Sequence, residues 1–175
     1  MTSEALTPRP SRQLYTPEER IRRDSTIWTT VQGVLAPVQF LVFLVSLGLV
    51  ARFMITGAGY EAATMSIVLK TAVLLTIMVT GAIWEKVVFG QYLFAPAFFW
   101  EDVFSFLVIA LHLTYVWALL SGWPHADQMW IALAAYAAYV INAAQFIWKL
   151  RMARLEGPRP QGSQPQGARP QGARA

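Results

Sequence analysis

The sequence contains no cysteine. Disulfides, thiolate metal sites, iron–sulfur clusters and covalently attached haem are therefore excluded. Charge is scarce too: 14% of the residues are Asp, Glu, Lys or Arg, against roughly 25% in an ordinary soluble domain. Between Asp24 and Arg52 there is none at all. Histidine is limited to 2 residues, and His125 sits beside Pro124 in an expected loop, which argues against a bis-histidine haem. What the chain has instead is apolar surface, 55% of its 175 residues. This length suits one domain, and a water-soluble core of that size would need far more polar surface around it. No cleavable signal peptide is expected, because a polar, mixed-charge stretch of about 25 residues precedes the first apolar run.

A hydrocarbon layer about 30 Å thick needs roughly 20 apolar residues in helical conformation. Four stretches qualify. Val34 to Ala51 is almost wholly apolar, and Ala62 to Trp84 is interrupted only by Lys70. Val103 to Leu120 carries His112, and Met129 to Trp148 is closed by Lys149, Arg151 and Arg154. The expected fold is thus an all-α membrane protein with four transmembrane helices. Arg9, Arg12, Arg20, Arg22 and Arg23 precede the first span, Lys86 follows the second, and the last basic cluster follows the fourth; the opposite side has only Arg52. The positive-inside rule then puts both termini and the second loop in the cytoplasm. The formal charge of +4 is read the same way, as topology signals in the tails rather than a nucleic-acid patch.

Val87 to Trp100 is uncharged and aromatic, but spans only 14 residues and is broken by Pro96. It suits an interfacial or re-entrant segment between the second and third helices better than a crossing. Thr16-Pro17-Glu18-Glu19 looks like a helix start with Pro in the first turn. Beyond Glu156, Pro-Gln-Gly recurs every five residues, a composition expected to be disordered. The division is therefore a polar N-terminal segment at 1–27, a four-helix transmembrane domain at 28–155, and a Pro/Gln/Gly/Arg tail at 156–175.

Polar side chains inside a bilayer are costly and mark candidate sites. Gln32, Gln39 and Ser46 recur every seven residues, on one face of the first span. The fourth span has Tyr139, Asn142 and Gln145; Trp84-Glu85-Lys86 ends the second, and Trp100-Glu101-Asp102 begins the third. Most of these fall in the cytoplasmic half of the membrane, which predicts a polar cleft opening toward the cytoplasm under an aromatic loop. Each feature has a plainer alternative. The amides could be interhelical hydrogen-bonding groups, the Trp-Glu pairs could be interfacial anchors with flanking charges, Lys70 could snorkel, and a single mid-membrane His112 is more often a hydrogen-bonded neutral side chain than a ligand.

Three stretches carry a more specific likeness: Leu14 to Val50, Gly81 to Ser105 (GAIWEKVVFGQYLFAPAFFWEDVFS) and Tyr139 to Glu156 (YVINAAQFIWKLRMARLE). Together they resemble the 3-vinyl (also called 2-vinyl) bacteriochlorophyllide hydratases of photosynthetic bacteria. The resemblance implies a lyase of bacteriochlorophyll a biosynthesis in a bacterial cytoplasmic or intracytoplasmic membrane. Such an enzyme adds water across the 3-vinyl group of chlorophyllide a or 3-vinyl bacteriochlorophyllide a, giving a 3-(1-hydroxyethyl) product. No cofactor is implied; the magnesium is the pigment's own.

Hydration of a vinyl group conjugated to a macrocycle needs a general acid, a base for water and a flat apolar slot. Glu85 and Glu101, at the ends of two helices, are the expected acid–base residues, with Asp102 next, since a carboxyl withdrawn from water holds its proton better. Trp84, Tyr92 and Trp100 could stack on the pigment, beside Lys86. Asn142, Gln145 and Gln39 could position water or a ring carbonyl, and His112, three turns from Glu101, could ligate the substrate's magnesium. The expected partners are a chlorophyllide-type substrate and membrane lipid, with no nucleic acid; a second copy or a neighbouring pathway enzyme could also contact the chain. A non-catalytic pigment carrier is the competing class, and it would not need the paired acids.

Overall fold

The computed structural model describes residues 14–155; the tail at 156–175 and its expected disorder lie outside the described residues. Five helices are found among them: α1 (Pro17–Ser25), α2 (Ile27–Thr56), α3 (Tyr60–Phe89), α4 (Phe99–Leu120) and α5 (His125–Leu155). The last four are long and apolar enough to cross a membrane, and the chain is a multi-pass membrane protein. A helix of 30 residues is about 45 Å long, so α2 and α3 overreach the hydrocarbon layer. Each is longer than the apolar run that marks it in the sequence, because helical hydrogen bonding continues through flanking residues.

Helix α1 starts as the sequence predicts. Thr16 and Glu19 form a reciprocal capping box with Pro17 in the first turn, which satisfies amide groups that an open helix end leaves unpaired. Thr26 then caps α2, and α2 runs through Pro37 without ending. Gly57 closes it at φ 69° and Gly90 closes α3 at φ 85°, both in the left-handed region that glycine enters without a Cβ penalty.

Helices α2 and α3 pack along their length as one antiparallel hairpin and α4 and α5 as another, with narrower α2–α5 and α3–α4 contacts joining them. The shared core brings Phe43 and Val50 against Ile67 and Leu74, Val108 and Tyr115, and Ala132, Ala135 and Tyr136. Alanines on α5 let helix backbones approach closely, which favours packing in lipid. At most 33% of the most apolar window of any span is buried inside the molecule. The remaining apolar surface faces outward, as lipid contact requires. Gln39 and Ser46 are buried on the inner face of α2, and Gln32 donates to Thr80 at 2.8 Å, so the seven-residue polar spacing does mark the face turned to the other helices.

The link between α3 and α4 is shorter than Val87 to Trp100, because α3 continues to Phe89 and α4 starts at Phe99. The non-helical part is confined to 90–98, and α1 lies against the end of α3 beside it.

Candidate active site

The carboxyls at the ends of α3 and α4 converge beneath this link. Asp102 accepts a hydrogen bond from the Phe94 amide at 2.5 Å, and Glu85 accepts one from the Ala95 amide at 3.2 Å. Both carboxyls are buried and lie within interaction range of each other and of Glu101. Leu93 and Phe94 adopt φ 62° and 57°, a conformation disfavoured for residues with a Cβ. The two acids hold these amides in place, and so stabilise a backbone that local preference opposes.

Glu101 points to the other side of the link. Its carboxylate pairs with Lys149 of α5 at 2.6 Å, and the same ammonium donates to the Ala97 carbonyl. This pair stands on the wall of a groove of about 970 Å³, near the upper end of the range for small-molecule sites. Phe94, Phe99, Trp100 and Trp148 line it with Gln145, and Leu14 and Glu19 close one side. The lining is thus aromatic, with a few polar groups at one spot.

The underside of the link is packed by Tyr15, Val88 and Phe98. Tyr15 stacks on Phe89 with ring centroids 5.7 Å apart, under the Arg23 guanidinium at 4.7 Å. Burial pushes the Tyr15 hydroxyl above its usual range, against the opposing pull of Arg23, so it is neutral at physiological pH. Arg22 donates to the Val88 carbonyl at 2.8 Å, satisfying an acceptor that the end of α3 leaves open.

Of the residues singled out in the sequence, Glu101, Trp100 and Gln145 line the groove, and Glu85 and Asp102 lie behind it. Trp84 donates to Thr29 at 2.9 Å and packs edge-on to Phe98, so it supports the link from below. Lys86 bonds the Gly90 carbonyl and sits 5.3 Å from the exposed Tyr92 ring, at the link's outer rim. Gln39, His112 and Asn142 are buried in the bundle interior rather than on the groove. His112 donates through Nδ1 to Val108 at 2.8 Å, and Asn142 donates to Ser105 at 2.9 Å. Among the described residues no three His, Asp or Glu side chains converge as metal ligands.

Sequence reasoning missed Lys149, which reads as a flanking topology charge. Its signal was its position four residues after Gln145 and seven after Asn142, on the same helical face. Tyr15 and Arg22 were missed as well; nothing local distinguishes them, since their partners lie on α3 and the link.

Fold and site together define a polytopic membrane protein with a buried carboxyl cluster beside an aromatic groove. A family model described as 2-vinyl bacteriochlorophyllide hydratase matches residues 15–152. The chain is 74% identical over 147 residues to the 2-vinyl bacteriochlorophyllide hydratase of Cereibacter sphaeroides, covering 84% of this chain and 92% of that protein. It is likewise 74% identical over 148 residues to the protein of that name from Rhodobacter capsulatus, covering 84% and 86%. The chain belongs to the 2-vinyl bacteriochlorophyllide hydratase family. No solved structure matches it.

Proposed function

We infer that this chain is a hydro-lyase of bacteriochlorophyll biosynthesis, adding water across the vinyl group of a chlorophyllide-type pigment. The observation that carries this is 74% identity to hydratases over 84% of the chain. The groove supports this reading, since aromatic side chains line it and a carboxylate stands on its wall.

In the proposed cycle, a carboxyl of the Glu85–Asp102–Glu101 cluster protonates the terminal vinyl carbon. The resulting cation lies next to the macrocycle and is delocalised over it. Water attacks the inner carbon and loses a proton to a carboxylate of the same cluster, which returns the cluster to its starting charge. Glu101 is the residue assigned to contact the pigment, and Lys149 keeps it oriented. Glu85 and Asp102 act as the proton reserve behind it. Trp100 and Trp148 stack on the ring. Hydration involves no net oxidation or reduction, so the reaction needs no redox cofactor, and the pigment brings its own magnesium.

We place both termini and the 90–98 link on the cytoplasmic side of a bacterial cytoplasmic or intracytoplasmic membrane, following the basic residues. The polar segment at 1–27 then contributes α1 to the groove wall, the domain at 28–155 supplies the rest, and the tail at 156–175 stands apart from catalysis. The open side of the groove is left to lipid, a second copy of the chain or a neighbouring pathway enzyme.

The test is a conversion assay. Membranes containing only this chain receive chlorophyllide a without nicotinamide, and a product heavier by one water with a blue-shifted red band is expected. Pigment that binds unchanged would overturn the hydratase reading in favour of a carrier.

A further inference from the structure

The bundle interior holds polar atoms that the catalytic proposal leaves unused. Lys70 and His112 are fully or almost fully buried, at 0% and 1% exposure, on facing helices, near enough for their charges to interact. The Lys70 ammonium lies 3.6 Å from the centre of the Tyr139 ring, and no hydrogen-bond partner is found for its Nζ among the described residues. The same holds for His112 Nε2, Gln39 Oε1, Asn142 Oδ1 and Gln145 Oε1. Tyr139, Asn142 and Gln145 follow at three-residue steps along α5, each about 4.5 Å further along the axis. Gln145 reaches the groove. Lys70 Nζ over the Tyr139 ring, Asn142 Oδ1 further along α5 and Gln145 Oε1 at the groove thus set unpartnered polar atoms at successive levels from mid-bundle toward the proposed reaction site.

A buried donor or acceptor without a partner is costly, and buried groups that lack a protein partner are normally satisfied by ordered water. We propose that Gln39, Lys70, His112, Asn142 and Gln145 hold a file of ordered water running from the bundle interior to the groove, and that this file supplies the water consumed in hydration. The supply role rests on the hydratase reading; the water site does not. In each turnover one water leaves the file. Its hydroxyl bonds to the inner vinyl carbon and its proton passes to the carboxylate, replacing the proton given to the terminal carbon. The file refills from solvent. The lining residues keep a polar reactant available beside an otherwise aromatic slot.

Radiolytic hydroxyl footprinting of the intact protein in nanodiscs, without pigment, reads the file directly, because radicals formed from bound water label adjacent side chains. Tyr139 and His112 should be labelled despite their burial. Met129, at 0% exposure against 1% for His112 and 7% for Tyr139 and without a place in the polar file, should be labelled less than its high intrinsic reactivity predicts. Tyr139 and His112 protected as well as Met129 would overturn the water site, whatever the activity. Asn142→Leu and Lys70→Met should reduce Tyr139 labelling and lower kcat roughly tenfold, with pigment affinity in the groove retained. Full turnover by a variant that has lost the labelling would overturn the supply role. A labelled file in a wild-type protein that hydrates no pigment would leave the water site standing and remove the hydratase reading.

Discussion

Glu101 and Lys149 meet at 2.6 Å with side-chain exposures of 8% and 26%, so removing one leaves the other poorly solvated. Lys149→Met should destabilise the protein by about 1–3 kcal/mol. The double change Glu101→Gln with Lys149→Met should cost less than the two single effects added together. Thermal unfolding of the four proteins in one detergent measures this, and strict additivity would contradict a direct pair. Glu85 and Asp102 call for a different substitution. Glu85→Gln and Asp102→Asn keep an oxygen that can accept from Ala95 and Phe94, so the link should hold its shape. Proton transfer is lost, however, and hydration should slow by roughly 100- to 10,000-fold. Pigment binding at wild-type affinity together with normal turnover in both variants would exclude the carboxyl cluster as the proton source.

At the scale of elements, the 90–98 link is held from two sides. Carboxylates of α3 and α4 accept its amides from within, while Tyr15, just before α1, packs beneath it and Arg22 of α1 ties the adjoining end of α3. Leu93 at φ 62° tests the first constraint. Leu93→Gly should be close to neutral, since glycine enters this region freely while loosening the unfolded chain. Leu93→Val should cost about 1–2 kcal/mol, because a β-branched side chain resists positive φ. The reverse order in thermal midpoints would argue against this backbone. Arg22→Gln and Tyr15→Ala test the second constraint. Both should raise KM for the pigment more than they lower kcat, because they loosen the groove wall and leave the carboxyls in place. A pure kcat defect would mean that α1 acts elsewhere.

For the whole molecule, the absence of cysteine makes the membrane topology directly measurable. Ala58→Cys, in the α2–α3 turn, and Ala126→Cys, at the start of α5, should react with an impermeant maleimide added outside intact cells. Gln91→Cys, in the exposed part of the 90–98 link, should react only after the membrane is opened. The opposite labelling pattern would invert the proposed orientation.

How much of this was legible in the sequence depends on the range over which each cause acts. Four spans could be read because a bilayer imposes an apolar run on every crossing, whatever the helices then touch. The start of α1 was equally local: Thr16, Pro17 and Glu19 act within one turn. The inner face of α2 showed itself through the spacing of Gln39 and Ser46. The sequence by itself thus determined the fold class, the start of α1 and, through family likeness, the chemistry to look for. Only the tertiary structure decided that Glu101 faces the groove while Glu85 and Asp102 brace the link from behind, that Lys149 belongs to the site, and that His112 stays in the interior. Each of these depends on which helix lies opposite, and hydropathy carries no record of that pairing, because in lipid any apolar face will do.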